Sequence, residues 1–171
     1  MNVTSTEGSR TLARSDSLSR THPLKRWECD FWTQAKLRNA DTDQFRHVNN
    51  AAISTLLEVA RMEILDRDSL KGPMIGRNVV VAHLSIDFLK ELHFPGTIDI
   101  GSTTLKVGST SFRLAQGLFI GSECLVFALA TCVLLDTERA EPAPIPEPIR
   151  TYLLAGLPGA RDESASAGFW R

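Results

Sequence analysis

The polar and apolar positions of this chain change period twice. From Trp27 to Arg38 (WECDFWTQAKLR) they alternate loosely among β-forming residues, which predicts a strand. From Ala51 to about Asp66, apolar residues fall at 53, 56, 57, 60 and 64. Steps of three and four place them on one side of a helix of about four turns, a stripe wide enough to pack on a sheet. Asn49 or Asn50 is placed to cap that helix, because an Asn side chain accepts from the free N–H groups of a first turn. From Asn78 the period becomes two. Strands are predicted from 78 to 89, 97 to 107, 110 to 120 and 123 to 136. Their joints, Pro95-Gly96, Gly108-Ser109 and Gly121-Ser122, are short and suit antiparallel hairpins rather than crossovers. The alternation changes phase between Ile100 and Leu105, which predicts a bulge.

The last of these strands is apolar on both faces. Cys124, Val126, Ala128, Ala130, Cys132 and Leu134 share one face; Leu125, Phe127, Leu129, Val133 and Leu135 share the other. Both faces must then be covered. One helix covers one face, and a second copy of the chain is expected on the other. Beyond Asp136, RAEPAPIPEPIR is proline-rich and expected to run extended, followed by a short helix over 151–157. The order is one strand, one long helix, then four antiparallel strands. That is an α+β chain, one long helix wrapped by a curved antiparallel sheet of about five strands.

At 171 residues the chain is long enough for one domain with a sizeable core. Residues 1–26 are rich in Arg and Ser and lack the apolar middle of a secretory signal. Glu7 and Asp16 argue against a transit peptide, so the segment reads as a disordered tail. Residues 158–171 read the same way, which leaves 27–157 as the folded domain. A formal net charge of −1 makes no electrostatic case for nucleic acid. The longest apolar run, Cys124 to Leu135, is too short for a membrane span and is broken by Thr131. The three cysteines are odd in number and fit no metal spacing. They read as small buried hydrophobes in a reducing compartment, here taken as cytoplasmic.

The densest polar chemistry stands just ahead of the helix. Residues 41–50, DTDQFRHVNN, hold two acids, an arginine, a histidine and two asparagines. Asp41 suits a turn, where an Asp bonds its own backbone. Asn caps would also fix the positive end of the helix dipole beside whatever binds there. His47 could orient a carboxylate or a water, or bond a backbone carbonyl. Glu58 lies two turns into the helix and off its apolar stripe, as a second pocket acid or as a partner for Arg61. His83 sits in an apolar strand and reads as a satisfied core histidine. Arg46, Arg61, Lys90 and Arg113 are cations that no spacing singles out.

This turn, with Glu58, Ala60 and Arg61 following in the helix, resembles the hotdog-fold acyl-CoA thioesterases of the 4-hydroxybenzoyl-CoA thioesterase-like group. The pattern matched is Asp-x-Asp-x-x-Gly-His-Val-Asn-Asn. Looser matches in VVVAHLSIDFLKELHFPGTIDI, in VGSTSF and in the proline-rich ending extend the likeness over residues 27–150. The resemblance implies a hotdog fold and hydrolysis of an acyl thioester, carried on CoA or on a carrier protein, to a free acid and a thiol. It implies no metal and no redox cofactor. Asp43 would be the general base or nucleophile, with His47, Asn49 and Glu58 beside it. Arg46, Asn50, Asn78 and Val79 would face the substrate, an N–H near Asn78 or Val79 coming from a partner subunit to polarise the carbonyl. A homodimer or homotetramer follows, with no nucleic-acid or membrane partner. An ordinary carboxylate, with a pKa near 4, is a weak base, and burial at a subunit interface would raise it.

Two residues depart from the pattern. Arg46 stands where the group has glycine, and Ile53 where it often has an aromatic residue. Arg46 strains the turn if the position needs a positive φ. It therefore keeps open a second reading, a non-catalytic module that binds an acyl thioester. A hydratase or dehydratase is the weakest reading. Those enzymes resemble a pattern with the catalytic histidine on or near the central helix, and no histidine lies between Ala51 and Asp66.

Overall fold

The computed structural model describes residues 23–157. Their elements are β1 (Phe31–Lys36), α1 (Asn50–Leu65), α2 (Asp68–Met74), β2 (Arg77–Phe88), β3 (Thr97–Val107), β4 (Ser111–Ile120), β5 (Glu123–Asp136) and α3 (Glu147–Ala155). The five strands form one antiparallel sheet in the order β1-β3-β4-β5-β2. The expected architecture, one long helix against a curved five-stranded sheet, is the one observed.

α1 explains the layering. Its stripe of Ile53, Leu57, Ala60 and Ile64 is buried, joined by Leu65. The forward half packs on Ile98, Ile100, Leu118, Val126 and Ala128 from the middle strands. The rear half continues into a second cluster with Phe112, Leu114, Cys132, Leu134 and the Ile149–Leu153 face of α3. α3 begins four residues earlier than expected, at Glu147, because Pro148 sits in its first turn, where proline needs no N–H. α2 has no counterpart among the predicted elements; it holds Gly72 and Pro73, residues that commonly break a helix.

The joint at Pro95-Gly96 is not a hairpin. β2 pairs with β5, and β3 pairs with β1 and β4. Residues 89–96 therefore carry the chain from the β2 edge to the far half of the sheet. Turn residues signal a change of direction but do not choose the neighbouring strand. β5, apolar on both faces, must lie inside the sheet and takes β2 as its second partner. The crossover passes the front of α1, where the Val48 N–H donates to the Leu92 carbonyl at 2.7 Å. Leu92 is buried in the helix-side core.

The bulge expected in β3 is present, with the register shifting between Thr104 and Lys106. Two further shifts, at Val81/His83 and Leu118/Phe119, left no sequence signal. His83 is exposed beside the first of them, so it is not a core histidine.

Part of the other face of β5 is covered from within the chain, while Val133 and Leu135 stay half-buried. Phe127 and Leu129 pack with Leu24, Cys29, Ala115 and Phe119. Of the expected tail, residues 1–22 lie outside the described residues, but Leu24 is only 2% exposed and Arg26–Glu28 form a 3₁₀ turn. That turn also delays β1 to Phe31. Close approach here requires glycine. Gly101 faces Gly117 across β3 and β4, and a Cβ on Gly101 would stand 2.5 Å from the Cys29 sulfur. The expected tail over 158–171 also lies outside the described residues. Among the described helices, none is long and apolar enough to cross a membrane.

None of the three thiols forms a disulfide; two of them are buried and Cys124 is half-buried. Desolvation pushes Cys29 up to about 12 and both Cys124 and Cys132 up to about 11, from an ordinary 9.0. The folded thiols stay neutral where the unfolded ones ionise. Stability from this source is therefore full below pH 9.0 and is lost as pH rises from there toward 11–12. Urea midpoints measured from pH 8 upward should fall across that window, and replacing Cys132 with Ala should flatten the fall. Leu57→Ala, which empties the centre of the helix–sheet contact, should cost about 2–5 kcal/mol in the same assay.

Candidate functional site

The head of α1 is built by a tight polar turn. Thr42 and Val48 pair across its base. Asp43 closes it: its N–H donates to the His47 carbonyl at 2.9 Å and its carbonyl accepts from Arg46 N at 3.0 Å. The Asp43 Oδ1 accepts from Phe45 N at 2.8 Å and His47 N at 3.1 Å. Among the described residues Oδ2 accepts no hydrogen bond, so one carboxylate oxygen is held and the other is available.

Arg46 takes φ +66°, the left-handed region. That is the conformation glycine adopts without cost. The turn therefore keeps its shape with Arg46 in place, and the guanidinium extends from an exposed residue.

Asp41 locks the turn from below. It is 6% exposed, accepts from Arg38 N at 2.8 Å and pairs with the Arg38 Nη2 at 2.6 Å. Those side-chain and backbone bonds from Arg38 hold its carboxyl below the usual carboxylate range. Its carbonyl accepts from Asn49 N at 2.8 Å, tying the lock to the helix cap.

Asn49, not Asn50, is the cap; its Oδ1 accepts from Ala51 N at 2.8 Å. Asn50 is the first helical residue. The positive end of the α1 dipole thus lies beside Asp43 and His47.

His47 faces two residues that sequence reasoning did not single out. Its Nε2 lies 3.4 Å from the Glu91 Oε2, and the His93 Nε2 lies 3.4 Å from that same oxygen. The two imidazoles meet edge to face with centroids 4.9 Å apart. The available signal was only a Glu-x-His step in an extended segment, where residues two apart share a side.

Glu58 is exposed, about 13 Å farther along the helix axis than Asn49. With Asn78 and Val79 it lines a cavity of about 1020 Å³, whose walls include Met62, Val80 and Val81. The Val79 N–H is taken by the Asn78 Oδ1 at 2.8 Å. Arg61 does not turn to Glu58. It is half-buried and donates to the buried Gln116 Oε1 at 2.8 Å, while Gln116 Nε2 donates to the Leu57 carbonyl at 3.2 Å. Burial lowers the Arg61 pKa from its ordinary value. One chain thus gathers Asp43, Arg46, His47, Asn49 and Asn50 at the helix head. It places Glu58, Asn78 and Val79 in the cavity alongside, and none of the helix-head residues lines that cavity.

A carboxylate with a free oxygen, in the turn that leads into a helix N-terminus, can take a proton from water or attack an electrophilic carbonyl. The model of the thioesterase-like superfamily matches residues 37–153. The long-chain acyl-CoA thioesterase FadM of Escherichia coli (strain K12) is 29% identical over 114 residues, which are 63% of this chain and 86% of that protein. A thioesterase from Thermus thermophilus, solved with coenzyme A and Zn, is 28% identical at a TM-score of 0.64, over 73% of this chain and 98% of that one. A protein of Pseudomonas aeruginosa strain PAO1 superposes with a TM-score of 0.74 over 82% of this chain and all of that one. At 22% identity it bears on the fold alone.

Arg46→Gly should relieve the left-handed strain. It should raise stability by roughly 0.5–1 kcal/mol, the conformational cost of a side chain there less the added freedom of the unfolded glycine chain. Thermal unfolding of the two proteins checks this.

Proposed function

The chain belongs to the thioesterase-like superfamily and is a thioester hydrolase of the hotdog fold, and we propose that it cleaves acyl-CoA with Asp43 as the acting carboxylate. The observation that carries this reading is the Asp43 side chain. One oxygen is held by two backbone N–H groups, and the other is left for chemistry at the head of α1. Water placed against the free oxygen gives up a proton to it and adds to the thioester carbon. The tetrahedral intermediate collapses, the C–S bond breaks and the CoA thiolate leaves to take a proton. In the other form of the same reading, Asp43 itself attacks, and water then opens the resulting mixed anhydride. Asn49 contributes by fixing the helix end that faces the developing oxyanion. His47 orients the water.

FadM is named a long-chain acyl-CoA thioesterase, and the apolar cavity of about 1020 Å³ has room for a long acyl chain. No metal or redox cofactor enters this chemistry. Arg46 serves the substrate side as a cation for CoA phosphates. The alternative, a non-catalytic acyl-thioester-binding module, rested on Arg46 spoiling the turn, and Arg46 adopts the φ that glycine would supply.

The active unit is proposed to be a dimer. β2 is an edge strand, yet Val80 and Val81 are exposed on it, and an apolar edge is a pairing surface. A second copy there would cover the cavity and bring Glu58, Asn78 and Val79 of one protomer toward the helix head of the other. Val79 can polarise a carbonyl only if the Asn78 side chain releases its N–H.

Incubation with a panel of short, medium, long-chain and aromatic acyl-CoAs should release free thiol, fastest for long chains. Asp43→Asn, which keeps the shape and removes the charge, should lower kcat by about 10²-fold with its thermal midpoint retained. No hydrolysis of any thioester would move the reading to the binding module. Light scattering should give a dimer, and Val81→Lys should shift it toward monomer while lowering activity.

A further inference from the structure

The cluster at the front of the crossover has the geometry of a metal site. Glu91 and His93 flank the buried Leu92 on an extended segment, so their side chains leave the same side. His47 pairs with His93 as an isolated antiparallel bridge, and the neighbouring Val48 N–H to Leu92 carbonyl bond pins the two backbones together. One ligand atom from each of the three residues lies within 4.8 Å of the others. The side chains make no hydrogen bonds to other groups among the described residues. The Glu91 Oε2 stands 3.4 Å from both imidazole Nε2 atoms, outside the ordinary range for N–H···O bonds. Ligands set tetrahedrally around zinc at about 2.1 Å stand about 3.4 Å apart, which matches both spacings.

We propose that His47, Glu91 and His93 bind a divalent transition-metal ion of the zinc class. Two imidazole nitrogens and one carboxylate oxygen suit such an ion, and magnesium or calcium, which take oxygen ligands, would be poor fits. All three side chains are at least one-third exposed, so the ion reaches the site from solvent and keeps an open position for water. The site is framed by backbone pairing and needs no rearrangement of the fold. The bound ion joins the turn that carries Asp43 to the β2–β3 crossover and takes the Nε2 of His47 out of other bonds. It is a structural clamp at the helix head that takes no part in the bond changes of hydrolysis, and it leaves the Nδ1–H of His47 to orient the water.

The test uses the full chain after chelator treatment, at pH about 7.5, above the ordinary imidazole pKa of ~6.5. Titration with Co²⁺ should give one equivalent with the visible absorption of a tetrahedral N/O site, and Zn²⁺ should displace it. Zn²⁺ should raise the thermal midpoint. His93→Ala and Glu91→Gln, both on an exposed segment, should keep the metal-free midpoint, lose the Zn²⁺-induced rise and weaken binding at least about 10-fold. If His93→Ala alone disturbs the fold, Glu91→Gln carries the comparison. Binding of undiminished strength in the variants, near-ultraviolet thiolate bands that place the ion on cysteine, or no uptake of either metal would each overturn the proposal. None of these readouts depends on hydrolysis, so a failure of the catalytic assignment and a failure of the metal site are seen separately.

Discussion

The structure depends on burying one apolar stripe, that of α1, against a sheet that must bend around it. Ile53, Leu57, Ala60 and Ile64 supply the stripe, and residues from β3, β4 and β5 receive it. Covering that stripe is the large favourable term, since apolar area removed from water stabilises at about 25 cal/mol per Å². The rest of the layout follows. β5 goes inside because both of its faces are apolar. β2 then becomes an edge, and the chain must cross past the head of α1 to place β3.

That crossover links packing to chemistry. Leu92 enters the core under the helix, and its carbonyl takes the Val48 N–H, so the turn before α1 is held from outside as well as by its own bonds. The Arg38–Asp41 pair and the Asn49 cap fix the same turn from its other end. A turn fixed at both ends keeps the carboxylate it carries in place with little reorganisation, the usual arrangement for precise chemistry on a rigid element. The same crossing brings Glu91 and His93 beside His47.

Part of the exposed apolar surface gathers at the cavity beside β2. Met62 and Ile75 are 61% and 77% exposed, and both line the cavity that β2 borders. Apolar surface beside an unpaired strand edge is where the proposed dimer would pair. By contrast, on the outer face of the sheet Leu24 and Cys29 cover the Phe127–Leu129 stretch, with Gly101 and Gly117 making the space.

Local pattern was enough for the elements and for the turn. The period of α1, the two-residue period of the four later strands, the β3 phase change and the Asp41–Asn50 motif were all legible, because each rests on neighbours within a few residues. The choice of Asn49 over Asn50 as cap, the positive φ of Arg46 and the inward turn of Arg61 toward Gln116 needed coordinates. Strand order, the covering of β5 by the N-terminal segment and the meeting of His47 with Glu91 and His93 were not legible at all. These join residues far apart in sequence, His47 and His93 among them, or depend on which of several apolar strands lies inside. Sequence periodicity determines which face of each element is buried; only the competition among those faces for shared neighbours, settled in three dimensions, decides which residues meet.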